Sequence, residues 1–156
     1  WLTEYDNLVV LQTFSKAWGL AALRLGMALA SETIIHYLNK VKPPFNINSA
    51  AQQYALEALD NIQWVNEHIR ETVALREALR NELNTLPVTQ QVFPSDANFI
   101  LLRVTDAPGL YKHLIENGIM VHDSSNVPLG EGCLRITVGT RDENERLISV
   151  IKKYIA

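Results

Sequence analysis

The sequence predicts an α/β protein built in two parts and joined through one long helix. An apolar run, Leu8-Val9-Val10-Leu11, enters a polar turn as a strand does when it feeds a loop. Between residues 45 and 86 no Gly or Pro interrupts the chain, and apolar residues recur there at near-helical spacing. From residue 98 onward, strand-like runs alternate with amphipathic stretches to the C-terminus.

Residues 8–14 predict a buried strand leading into Thr13-Phe14-Ser15-Lys16. Residues 25–30 predict the next strand, ending at Ser31, which caps a helix over 32–41 with Glu32 favourable in its first turn. Ile34, Ile35, Leu38 and Val41 give that helix an apolar face, and Pro43-Pro44 stop it. Ser49 opens a second helix, with Ser49-Ala50-Ala51-Gln52 in the pattern of a capping box. Near Asp60-Asn61 the chain restarts as a helix to about Leu86, carrying Ile62, Val65, Ile69, Val73, Leu79, Leu83 and Leu86. A helix of about 25 residues reaches about 38 Å at about 1.5 Å per residue. The domain boundary is placed inside it: residues 1–70 run into this helix, and residues 71–156 form a small α/β domain.

In that second part, residues 98–104 predict a strand. Residues 108–117 predict a helix with Pro108 near its first position and Gly118 at its end. Residues 119–122 predict a short strand. Cys133 to Val138 alternate, with Leu134, Ile136 and Val138 on one face and Cys133, Arg135 and Thr137 on the other. Thr140-Arg141-Asp142-Glu143 is a second capping box, opening a C-terminal helix with Leu147, Ile151 and Tyr154 inward.

Composition narrows the class. A chain of 156 residues with 47% hydrophobic and 20% charged residues describes a soluble globular protein. A net charge of −3 without a dense Lys/Arg block argues against a nucleic-acid partner, and no apolar run approaches membrane-span length. Cys133 is the only cysteine, so no internal disulfide can form and a reducing, cytoplasmic setting is expected. No signal peptide is visible, although a missing N-terminus would hide one, and a start at Trp1 suggests a fragment. His36, His68 and His113 lie on predicted helices without metal-ligand spacing, so no metal site is expected.

The chemistry concentrates in Thr13-Phe14-Ser15-Lys16-Ala17-Trp18-Gly19-Leu20-Ala21-Ala22-Leu23-Arg24-Leu25-Gly26. A strand delivers one lysine into a turn beside two hydroxyl residues, and an arginine follows eight residues later. That set can hold a phosphorylated aldehyde: the Lys16 amine condenses with the carbonyl, the Thr13 and Ser15 hydroxyls donate to phosphate oxygens, and Arg24 offers a planar fork. Each residue alone also fits a plainer role, Lys16 as solvated surface, Ser15 as a turn residue, Arg24 as an ion-pair partner, and Trp18 as a core residue. No G-x-x-x-x-G-K-[ST] nucleotide loop is present, and adjacency of Ser15 and Lys16 excludes an S-x-x-K nucleophile.

The whole string resembles the cofactor-lysine motif of the fold-type I, class I/II aminotransferases, and within them the branch that acts on histidinol phosphate. A second anchor, Gly132-Cys133-Leu134-Arg135-Ile136-Thr137-Val138-Gly139-Thr140, resembles that family's substrate-carboxylate arginine motif, about 120 residues further on. The resemblance implies that the chain is the C-terminal portion of such an enzyme: the end of the pyridoxal 5'-phosphate (PLP)-binding large domain, a connecting helix and the small C-terminal domain. It implies Lys16 as the Schiff-base lysine, Thr13, Ser15 and Arg24 as phosphate ligands, and Arg135 as the substrate-carboxylate ligand. It also implies a small-molecule amino donor, a 2-oxo acid acceptor and a homodimer.

Arg135 alone also fits a cross-strand ion pair. His122, thirteen residues earlier, stands where the histidinol-phosphate branch often has an arginine for substrate phosphate, and a strand-end histidine is its other role. Asn98, in Ser95-Asp96-Ala97-Asn98-Phe99, fits either the site lining or a turn hydrogen bond, and Asn46 and Asn48 are similarly open. The family's pyridine-binding aspartate, ring tyrosine and N-terminal closing segment have no match here, and Asp6 does not fit the aspartate motif. The fragment is therefore expected to be inactive alone. Threonine-phosphate decarboxylase, an aromatic aminotransferase or a non-catalytic remnant would share these motifs.

Overall fold

The computed structural model describes residues 1–155. These form two compact units, one spanning Trp1–His68 and a second beginning at Ile69. Each is mixed α/β.

In the first unit, β1 (Val9–Thr13) and β2 (Gly26–Ala30) pair antiparallel, from Val9 opposite Ala30 to Thr13 opposite Gly26. The expected buried strand is instead exposed, with Leu11 at 77%. A two-stranded ribbon gives each strand one hydrogen-bonded neighbour and is a poor shelter for apolar side chains. Helix α1 (Glu32–Val41) follows from Ser31, but the Ser31 hydroxyl does not cap it. It donates to the Asp6 carbonyl at 2.9 Å, tying the chain before β1 to the start of the helix. Helix α2 (Ser49–Asp60) is capped one residue earlier than the sequence suggests. Asn48 Oδ1 accepts from the Ala51 N–H at 2.8 Å, and Gln52 reaches back to the Ile47 carbonyl. Asparagine outcompetes serine here because its longer side chain carries a carbonyl acceptor to the third amide. Asn61 breaks the helix, its side-chain amide donating to the Glu57 carbonyl at 2.8 Å.

Helix α3 (Ile62–Asn84) then runs through the boundary between the units, and its 23 residues extend roughly 35 Å. In the second unit four antiparallel strands, β3 (Thr89–Val92), β4 (Phe99–Val104), β5 (His122–Asp123) and β6 (Cys133–Thr137), lie in the order β3-β4-β6-β5. Strand β3 was not expected. Strand β5 sits later than the predicted 119–122, because Ile119 instead closes the end of α4 (Ala107–Glu116) by donating to the Leu114 carbonyl. Gly118 takes φ +73° at that stop.

One face of this sheet is the core. Ile100, Leu102, Val104, Leu134 and Ile136 pack with Leu79 and Leu83 of α3, Leu110 and Leu114 of α4, and Leu147 and Ile151 of α5 (Arg141–Ile155). The second capping box forms as expected: the Thr140 N–H and hydroxyl donate to Glu143 Oε2 at 2.7 and 2.9 Å. Those two donors hold the Glu143 carboxyl below its ordinary range. The opposite face carries Phe99, Leu101, Arg103, Arg135 and Thr137. Cys133 belongs to that face by alternation, yet it is fully buried. Arg103, directly opposite it on β4, sends Nε and Nη2 to the Glu131 and Leu129 carbonyls and draws the 124–131 loop over the thiol.

Candidate active site

The lysine turn is closed at both ends by backbone hydrogen bonds. The Phe14 N–H donates to the Leu25 carbonyl at 3.1 Å, and the Leu20 N–H donates to the Phe14 carbonyl at 2.9 Å. Inside it the Gly19 N–H donates to the Lys16 carbonyl at 2.9 Å, with Gly19 at φ +67°, a left-handed conformation that glycine adopts without cost. Phe14 is the buried foot of the turn, and the half-buried Trp18 ring tilts against it at 5.1 Å between centroids. The turn is thus anchored by aromatic packing while the Lys16 side chain stays exposed.

Thr13 and Ser15 lie together. The Thr13 hydroxyl accepts the Ser15 N–H at 3.0 Å and donates to Ser15 Oγ at 2.9 Å. This leaves the Ser15 hydroxyl proton free to point outward, with Thr13 orienting it. A short 3-10 turn, Ala21–Leu23, ends at Arg24, which holds φ +53° and folds its Nη1 onto the Ala21 carbonyl at 3.0 Å. A non-glycine residue in that region stores local strain, which concentrates at positions where side-chain direction matters. Arg24 is exposed, and a guanidinium with one N–H on the Ala21 carbonyl keeps further donors for a ligand.

The second unit holds the other candidates. His122 on β5 stands directly opposite Arg135 on β6, and both are exposed, so imidazole and guanidinium share one face. The Arg135 guanidinium lies over the Phe99 ring at 5.2 Å from its centroid. Asn98 immediately precedes that ring, is exposed, and accepts the Val138 N–H on its backbone carbonyl at 2.9 Å. Asp123, beside His122, has its carboxyl lowered mainly by the Ser125 hydroxyl and N–H, with the nearby His122 charge adding to them.

The structure therefore groups Thr13, Ser15, Lys16 and Arg24 at one turn of the first unit, and His122 and Arg135 on one sheet face of the second, with Asn98 in the turn just before β4 and not brought onto that face by any strand pairing. Asn48 is a helix cap. Phe99, the platform under Arg135, was missed although it sits in the quoted Asn98-Phe99 string. Arg103 and Arg76 were missed too. For Arg76 a signal existed, since it occupies the apolar stripe of α3 three residues after Val73. Among the described residues no cluster of His, Cys, Asp or Glu could hold a metal ion, and no helix is long and apolar enough to cross a membrane.

The family profile described as "Aminotransferase class I and II" matches residues 1–151. A histidinol-phosphate aminotransferase of Cytophaga hutchinsonii is 53% identical over 153 residues, which are 98% of this chain and 44% of that protein. A putative aminotransferase of Burkholderia pseudomallei superimposes with a TM-score of 0.87 at 29% identity, over 97% of this chain and 46% of that one. A Sinorhizobium meliloti histidinol-phosphate aminotransferase, solved with pyridoxal-5'-phosphate, has the same fold, with a TM-score of 0.79 at 23% identity over 96% of this chain and 42% of that one. The chain spans less than half the length of the curated relative it matches.

Proposed function

The chain belongs to the class I and II aminotransferase family, and from that premise we propose that it is part of a PLP-dependent enzyme moving an amino group between L-histidinol phosphate and 2-oxoglutarate, in histidine biosynthesis. The observation that carries the reading is the turn that presents an exposed Lys16 beside the paired Thr13 and Ser15 hydroxyls, with Arg24 at its far end. The 53% identity to a histidinol-phosphate aminotransferase supports the substrate.

The residues present fit one end of the cofactor. An amine, two coupled hydroxyls and a guanidinium form a donor set for an aldehyde and a phosphate. None of the four is an acid for a pyridine nitrogen, and Asp6 does not match the family's aspartate motif. When bound, PLP supplies a carbonyl for amine exchange and an electron-withdrawing ring. Ser15 and Arg24 hold the phosphate, with Thr13 fixing the Ser15 hydroxyl. Lys16 accepts the substrate Cα proton and returns it. Arg135 clamps a substrate carboxylate by its fork, His122 beside it on the same face meets the rest of the substrate, and Asn98 lies exposed at the entry to β4. Residues 1–70 belong to the cofactor-binding domain and 71–156 to the small domain. The parent is a cytoplasmic homodimer; exposed Trp1, Leu11 and Phe45 support a first unit that more protein covers.

The test is reductive trapping. The full-length, PLP-loaded parent is treated with borohydride and peptide-mapped, and the label is expected on Lys16. A label on Lys40 or Lys42 refutes the site, and release of carbon dioxide rather than an oxo product refutes transamination.

A further inference from the structure

We infer that Arg76 is a positioning residue for Arg135, acting through the Ser95–Asn98 turn; the inference rests on Arg135 being the carboxylate ligand proposed above. Arg76 is 8% exposed, and no other Lys or Arg among the described residues is buried. A guanidinium is costly to desolvate and is kept inside where its N–H groups are engaged. An apolar side chain would serve the stripe of α3 better if packing were the whole role.

Its engagements point along the chain to the site. Nε pairs with Glu77 Oε1 at 3.2 Å, a contact available to a surface arginine, and Glu77 also meets Arg80. Nη1 donates to the Ala97 carbonyl at 3.1 Å, and this is the contact that requires burial. Ala97 sits in a turn closed by Ser95, whose Oγ accepts the Ala97 N–H at 3.1 Å and donates to the Phe99 carbonyl at 2.6 Å. The next residue, Asn98, takes the Val138 N–H on its carbonyl, and Phe99 pairs with Thr137 and lies under the Arg135 guanidinium. Arg76 thus sets the turn, the turn sets the Phe99 ring plane, and that plane sets where the Arg135 fork points. Removing the guanidinium frees the Ala97 carbonyl and loosens the platform while the Arg135 side chain remains.

The test uses the full-length, PLP-loaded parent with Arg76→Gln, Arg76→Lys, Arg135→Ala and the double variant Arg76→Gln/Arg135→Ala. The affinity of glutarate, a non-reacting dicarboxylate, is read by calorimetry beside kcat/KM for 2-oxoglutarate. Arg76→Gln is expected to weaken glutarate on the order of tenfold, Arg76→Lys less, and Arg76→Gln to cost nothing further once Arg135 is Ala. Should Arg76→Gln not fold, Arg76→Lys decides: an intermediate loss of glutarate affinity supports the inference, and wild-type affinity overturns it. Glutarate affinity within twofold of wild type in Arg76→Gln, or losses that add in the double variant, also overturns it. If Arg135→Ala itself leaves glutarate binding unchanged, the assignment of Arg135 falls instead.

Discussion

Replacing Arg135 by Ala separates a binding role from a structural one, because the two carry different magnitudes. The side chain is exposed and its packing partner is the Phe99 ring at 5.2 Å. An exposed cation–π contact is worth about 0.5–1 kcal/mol, so the fold should lose no more than that. A hydrogen-bonded fork on a substrate carboxylate is worth more, about 2–5 kcal/mol when one partner is truncated. At about 1.4 kcal/mol per factor of ten, kcat/KM should fall by roughly 30-fold to several thousand-fold. Arg135→Lys keeps the charge but not the planar fork, and should fall between. The assay is steady-state kinetics on the full-length enzyme, with cofactor content read from visible absorbance and stability from urea unfolding. An unchanged kcat/KM together with lost cofactor would refute the reasoning, as would a stability loss large enough to explain the kinetics.

Other outcomes follow from the same structure. Purified residues 1–156, supplied with excess PLP, should show no useful transamination, because the family's pyridine-binding aspartate motif has no match in them; turnover within about tenfold of the intact enzyme would contradict this. Leu134→Ala, at a fully buried position on the core face of β6, should cost about 2–5 kcal/mol in urea unfolding of the parent, and a loss under about 1 kcal/mol would show that the sheet face repacks. Glu143, with its folded carboxyl below the ordinary 4.5, contributes stability that is present above the unfolded value and lost as pH falls through the folded one. The melting-temperature gap between wild type and Glu143→Gln should therefore close from about pH 7 to about pH 3, and a gap constant with pH would dismiss the carboxylate as its source.

Much of this fold is legible in the sequence wherever local chemistry decides it. The Thr140–Glu143 box, Pro108 and Gly118 around α4, and the alternation of β6 are all set within a few residues. What is not legible depends on distant partners. Strand β3 holds two glutamines between Pro87 and Pro94, and only pairing with β4 makes it a strand. The apolar run before the lysine turn reads as interior, yet β2 alone covers it here, since hydrophobicity reports a need for burial and not its fulfilment. Cys133 obeys alternation but is roofed by Arg103, thirty residues away in sequence. For the proposed site, the residue types and order that suggest Lys16, Ser15 and Arg135 are readable in the sequence. The left-handed backbone at Arg24 and the Phe99 platform are properties of tertiary geometry. Arg76 did leave a trace, as a charge on an apolar stripe.

The roof over Cys133 makes the thiol a clock. Its sulfur has no exposed surface, so a thiol-directed reagent can react only when the 124–131 loop lifts or the sheet edge parts. It is the only cysteine of residues 1–156, so within that stretch the modification rate reports this single event, and peptide mapping separates it from thiols elsewhere in the parent. His122 leads into the same loop and pairs with Arg135, so the half-life of the thiol counts how often the sheet edge beside that pair opens. A carboxylate resting on Arg135 should slow the clock, giving a readout of occupancy that needs no turnover.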